Sequence, residues 1–92
     1  MTEEEIRAAQ QGLSGWEIVG TGEMPKLRKA YRFKNFSEAL AFTNQVGALA
    51  EEHDHHPEIL TGWGQVTITW WTHSENGLSQ NDFAMAARVD EL

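Results

Sequence analysis

The chain has 92 residues, 40% of them hydrophobic and 23% charged, a size and balance that predict one globular domain, residues 1–92, with a single modest core. Its net charge of −7 argues against a nucleic-acid surface, which needs a basic patch to neutralise phosphates. The absence of cysteine excludes disulfide frameworks, thiolate metal sites and cysteine nucleophiles.

The opening "MTEEEIRAAQ" is acidic and lacks an apolar stretch, so no export signal is predicted. No run approaches the roughly 18 apolar residues of a membrane span, and the expected location is cytoplasmic. Thr2 with Glu5 forms a capping-box pattern that predicts a first helix through Gln11, closed by "GLSG". "GWEIVG" predicts a strand with Trp16, Ile18 and Gly20 on one parity. "TGEMPK" carries turn chemistry. "KLRKAYRFKNF" then predicts a second strand with Leu27, Lys29, Tyr31 and Phe33 on one parity, making a hairpin. Lys26, Arg28, Lys29, Arg32 and Lys34 gather here and read as charges facing solvent.

Ser37 is the expected N-cap of the longest helix, "SEALAFTNQVGALAEEHDHH". Ala39, Phe42, Val46, Leu49, Ala50 and His53 follow helical spacing and define its buried stripe. Pro57 disfavours helical geometry at His56, which sets the helix end inside the histidine cluster. A short strand, Glu58–Gly62, is expected to pair across Gly62 to Gly64 with "GQVTITWWTH". Alternation puts Val66, Ile68 and Trp70 on one face and Thr67, Thr69, Trp71 and His73 on the other. One of the adjacent tryptophans is therefore core and the other faces an interface or pocket. After Gly77, Ser79 with Asp82 makes a second capping box and Leu78 with Phe83 a hydrophobic staple, opening the final helix, "DFAMAARVDEL". The order helix, two strands, helix, two strands, helix predicts an α+β fold, an antiparallel four-stranded sheet with helices on one face. An uncovered second face and exposed strand edges predict a homo-oligomer.

The stretch "EEHDHHPEIL" puts three histidines within four positions, and three readings compete for them. His53 and His56, three apart, could share a helical face and ligate zinc, copper or nickel, but the zinc-protease spacing and a cupin-like glutamate are both missing. Histidines near a helix C-terminus also stabilise it through the dipole, by about 0.3–1 kcal/mol. Third, an imidazole exchanges protons near neutral pH, the helix end favours its charged form, and Glu51 stands four residues before His55. Proton transfer on two sides of a substrate needs a second group. His73 is the only other histidine in the chain.

Taken in order, Glu51, His55, His56, Pro57, Trp63, His73 and Asp82 resemble the signature of the pterin-4a-carbinolamine dehydratases. The pattern is an acidic or polar residue, three positions, a histidine pair with proline, an aromatic five positions on, then histidine after nine and aspartate after eight. "GWEI" and "YRFKNFSEALAF" resemble that family's first strand, second strand and helix start, so the likeness covers nearly the whole chain. The resemblance implies loss of water from a 4a-hydroxytetrahydropterin, left by an aromatic amino-acid hydroxylase, to give quinonoid dihydropterin. It implies no metal, nucleotide or redox cofactor. It further implies His55 and His73 as the proton-transfer pair, His56 as the group that binds and orients the ring, and Glu51 as the support of His55. Asp54, Pro57, Trp63, Thr72 and Asp82 are the remaining implied substrate-binding residues. Three of these have structural readings too: Trp63 as packing beside a turn, Asp82 as a capping-box member, Thr72 as an ordinary strand residue. Ile59 stands where some members carry an aromatic. Animal relatives also serve as a dimerisation cofactor of a homeodomain transcription factor, a role that would use a helix surface and not His55 or His73. A homodimer or homotetramer, with a pterin as the small-molecule partner and no direct nucleic acid or membrane contact, completes the expectation.

Overall fold

The computed structural model describes residues 1–20 and 24–92. Its elements run α1 (Glu3–Gln11), β1 (Glu17–Val19), β2 (Lys26–Arg32), α2 (Phe36–His53), β3 (Glu58–Gly62), β4 (Gln65–Trp70), a short 3-10 turn (His73–Glu75) and α3 (Gln80–Asp90). The strands form one antiparallel sheet in the order β1-β2-β4-β3. Half of the turn expected over "TGEMPK", residues 21–23, lies outside the described residues.

Alternation along the strands divides the sheet. Leu27 on β2 and Val66, Ile68 and Trp70 on β4 are fully buried beneath the helices. Ala39, Phe42, Val46 and Ala50 of α2 and Phe83, Met85, Ala86 and Val89 of α3 close over them. Burying such side chains stabilises by about 1.5–3 kcal/mol each. Tyr31, Phe33 and Phe42 stack with centroids 4.8 and 5.1 Å apart, tying β2 to α2. The opposite face carries the rows Glu17, Arg28, Thr69, Glu58 and Ala30, Thr67, Leu60, turned away from the side chains that pack against the helices. Ile59 packs against the core.

Three local expectations are corrected. Asn35, not Ser37, caps α2: its side chain accepts the Glu38 N–H at 2.9 Å, so the helix starts at Phe36. The helix also ends at His53 and not His56, because Asp54 turns into the left-handed region and the His55 N–H bonds back to the Ala50 carbonyl at 3.2 Å. His73 opens a 3-10 turn and does not end a strand; Thr72 and Gly77 pair across that turn.

Nor are the β2 charges simply solvated. Lys29 points under the sheet to Asp90 at 2.8 Å, Arg28 donates to Thr69 Oγ1 at 3.0 Å, and Lys26 lies 4.2 Å from the Trp71 ring centroid. Only Arg32 and Lys34 of the five are exposed.

Candidate active site

Two chain breaks build the site at one rim of the sheet. The left-handed Asp54 turns the chain out of α2, and Pro57 then commits it to the extended geometry of β3. His55 and His56 are thus displayed on a short connection between two rigid elements. The tight turn after β4 brings His73 to the same rim. That turn depends on Gly77 at φ 154°, where a β-carbon would stand 2.9 Å from Pro25 Cδ.

His55, His56 and His73 line one cavity of about 350 Å³ together with Asp54, Trp71 and Thr72. Each ring is held differently. His55, 14% exposed, stacks parallel on Trp70 at 5.4 Å, and its Nε2 meets Asp82 Oδ1 at 2.6 Å. His56 bonds through Nε2 to Glu51, and both side chains are largely exposed. His73 Nε2 accepts the Trp71 indole N–H at 3.2 Å, which in the neutral ring assigns the proton to Nδ1.

Asp82 is 0% exposed yet fully partnered. Its Oδ2 accepts the Thr72 hydroxyl at 2.8 Å and the Ser79 N–H at 2.9 Å, leaving Oδ1 for His55. It lies in the first turn of α3, where the helix dipole favours negative charge. A carboxylate so placed fixes the ring it touches and is a counter-ion for that ring in its protonated form.

The sequence-derived site is therefore assembled in part and rearranged in part. His55, His56, His73, Asp54 and Thr72 converge, with Asp82 directly behind them. Glu51 reaches His56 instead of His55, because α2 stops before residue 55 and the one-turn spacing no longer applies. The Thr72 hydroxyl donates to Asp82, so its single proton is not free for a substrate. Pro57 shapes the connection without lining the cavity. Trp63 is not brought in: it is 76% exposed at the β3–β4 turn, and β3 carries it roughly 16 Å from the histidines by strand rise. Ser79, read from sequence only as a helix cap, also fixes Asp82. Trp70, the fully buried one of the tryptophan pair, is the plate on which His55 stacks.

Among the described residues no three histidine, aspartate or glutamate side chains form a group that could hold a metal ion. The donors are engaged in pairs instead, His55 with Asp82 and His56 with Glu51.

The fold and the rim define a class: a small α+β protein that presents three imidazoles to one cavity, one of them backed by a buried carboxylate. The family model for pterin 4 alpha carbinolamine dehydratase matches residues 1–92, and the chain belongs to that family. A protein of Nitrosococcus oceani named after this family is 52% identical over 92 residues, covering 100% of this chain and 81% of its own. One from Microcystis aeruginosa, named likewise, is 51% identical, covering 100% and 79%. Among solved structures, a transcriptional coactivator/pterin dehydratase from Brucella melitensis superposes with a TM-score of 0.90 at 37% identity, covering 99% of this chain and 95% of that one. A pterin dehydratase-like protein identified as a RuBisCO assembly factor in the alpha-carboxysome gives 0.70 at 32% identity, covering 84% and 87%.

Proposed function

We propose that the protein dehydrates a 4a-hydroxytetrahydropterin to the quinonoid dihydropterin by histidine acid–base catalysis. The observation that carries this reading is the convergence of His55, His56 and His73 on one cavity, with Asp82 buried behind His55. In the reaction the C4a–O bond breaks and the hydroxyl leaves as water after taking up one proton. The N5–H bond breaks too, and its electron pair forms the N5=C4a double bond. One proton is delivered and one removed, so no net electron transfer occurs.

The two imidazoles suited to these tasks differ in their partners. His55 in its protonated form faces a buried carboxylate and is the group to protonate the departing hydroxyl. His73 is the group to take the N5 proton, on Nε2, once the substrate displaces the Trp71 indole N–H that this nitrogen otherwise accepts. His56, exposed at the cavity mouth and paired with Glu51, binds and orients the ring. The stacked Trp70 and the Asp82 bond limit the motion of His55, which keeps the donor near the geometry that proton transfer requires. Such assistance contributes about 10²–10⁴-fold.

The test is stopped-flow dehydration of synthetic 4a-hydroxytetrahydropterin. Wild type should accelerate the reaction, and His55→Ala and His73→Ala should each lose about 10²-fold or more, with a smaller loss for His56→Ala. No acceleration by wild type ends this reading. A collapse confined to His56→Ala reverses the assignment of roles.

We also propose self-association. β3 is an edge strand, and Leu60 and Trp63 on it and its turn are 67% and 76% exposed. A second copy covering this strip explains why Trp63 is far from the site of its own chain. Sedimentation equilibrium should report an oligomer for wild type that Trp63→Ala weakens; a monomer at all concentrations would remove the idea.

A further inference from the structure

Lys26 and Arg28 occupy alternate positions of β2, so both project from the sheet face opposite the buried Leu27. Neither swings freely in solvent. Lys26 Nζ lies over the Trp71 ring, and Arg28 is anchored through Nε to Thr69, itself 1% exposed. An arginine held by Nε alone still presents its terminal nitrogens as a fork. Ion pairs among the described residues join Lys29 to Asp90, His55 to Asp82 and His56 to Glu51, and none includes Lys26 or Arg28. Glu17 stands opposite Arg28 in the strand register, and Glu58 one strand beyond Thr69, without either forming an ion pair with it.

These two cations share a cavity of about 440 Å³ with Trp71, His73, Met24 and Val19. Trp71 and His73 also line the histidine cavity, so the two spaces meet across those side chains. Each volume is within the range of small-molecule sites, about 300–1,000 Å³. The chain has 14 acidic and only 7 basic residues, and two of the seven face this one hollow beside His73. A concave wall with two cations and an indole suits an anion joined to a flat ring.

We infer that the cavity of Lys26, Arg28 and Trp71 receives the side chain of the pterin, and that this side chain ends in an anionic group, a phosphate or a carboxylate. The inference rests on the pterin reading of the histidine cavity. With the ring against His55, His56 and His73, its substituent leaves along the shared Trp71–His73 wall toward the two cations. Arg28 supplies a bidentate contact and Lys26 a point charge.

The test is calorimetric binding of three dihydropterins: 7,8-dihydrobiopterin with its neutral tail, 7,8-dihydroneopterin monophosphate, and a tail of similar length ending in a carboxylate. Wild type should bind one or both anionic ligands about tenfold more tightly than the neutral one at low ionic strength. That advantage should shrink as sodium chloride is added and fall to within about twofold in Lys26→Met/Arg28→Met. Which anion gains more separates phosphate from carboxylate as the native terminus. Should the double variant fail to fold by circular dichroism, the single Lys26→Met variant and the wild-type salt series still decide the matter. Equal binding of neutral and anionic tails by wild type overturns the inference and leaves the dehydratase reading intact, as does a preference that survives the double substitution. Failure to bind any of the three overturns both.

Discussion

Helix α3 carries two aspartates, Asp82 in its first turn and Asp90 at its last residue, and each gathers several hydrogen-bonding groups. Asp82 accepts from Thr72 and Ser79 and meets His55; Asp90 accepts from Trp16 at 2.9 Å, Lys29 at 2.8 Å and Tyr31. The helix dipole supports the first and opposes the second. Asp82 has no lysine or arginine partner among the described residues and faces the His55 ring instead. Asp90 needs Lys29, and its remaining capacity ties α3 to β2 and to the segment after α1. One helix thus holds a carboxylate set against a cavity-lining imidazole and another set against the sheet and the segment after α1. The position along the dipole separates them.

The sharpest way to break this contrast is Asp82→Asn, which keeps shape and removes charge. An amide that still accepts from Ser79 and Thr72 turns its N–H pair on His55, and the flipped one offers His55 a neutral oxygen but loses those two bonds; either way the counter-ion of the protonated ring is withdrawn. Dehydration should slow by about 10²-fold or more, approaching the loss in His55→Ala, and the double variant should add little to either single one. Stopped-flow rates for the three variants check this. Full additivity would mean that Asp82 and His55 act separately.

Asp90→Ala should do the reverse. It strands the Trp16 indole N–H and the Tyr31 hydroxyl and leaves the Lys29 ammonium only the Ser14 carbonyl, and it should cost about 2 kcal/mol, allowing for the partial exposure of the pair. For a domain of this size that lowers the melting temperature by roughly 10 °C. The dehydration rate, measured well below the new transition, should change by less than about twofold. A rate loss comparable to that of Asp82→Asn would erase the distinction between the two carboxylates.

Only one of these clusters was legible in the sequence, for a physical reason. Asp82 announces itself locally as the third helical residue after Ser79, and the signature links it to the histidines. Asp90 meets residues 74, 61 and 59 positions away, and no local pattern encodes such contacts. Element order was readable because the periods of Val66–Ile68–Trp70 and Ala39–Phe42–Val46 are those of a strand and a helix. Residue counting failed where chain direction mattered. Trp63 fits the spacing, yet an extended strand carries it away from the site; Glu51 fits a helical turn that the left-handed Asp54 interrupts. Asn35 was passed over beside Ser37, although Asn35 and Glu38 have the capping spacing too. Lys26 and Arg28 looked solvated because a sequence does not show that Trp71 and Thr69 lie beneath them.

The smallest predicted effect concerns pH and belongs to the Asp90 cluster alone. Burial pushes the Asp90 carboxyl up, but bonds from Lys29, Tyr31 and Trp16, with the Lys29 charge, outweigh it and hold the group below its ordinary 3.8. A group depressed on folding contributes stability that is fully present above its unfolded value and lost as pH falls through the folded one. Tyr31 runs the other way: burial, then its bond to Asp90 and that carboxylate's charge, raise the phenol well above its ordinary 10.0. Its contribution is present below that value and lost as pH rises through the folded one. Urea midpoints of wild type and Asp90→Ala should therefore differ by a constant amount through neutral pH and converge both well below 3.8 and well above 10.0. Tyr31→Phe, which removes one donor and leaves Lys29 and Trp16 in place, should cost only about 0.5–1 kcal/mol at neutral pH and abolish the alkaline convergence while keeping the acid one. An alkaline transition unchanged in Tyr31→Phe would show that the phenol is not the group whose ionisation loosens the helix end.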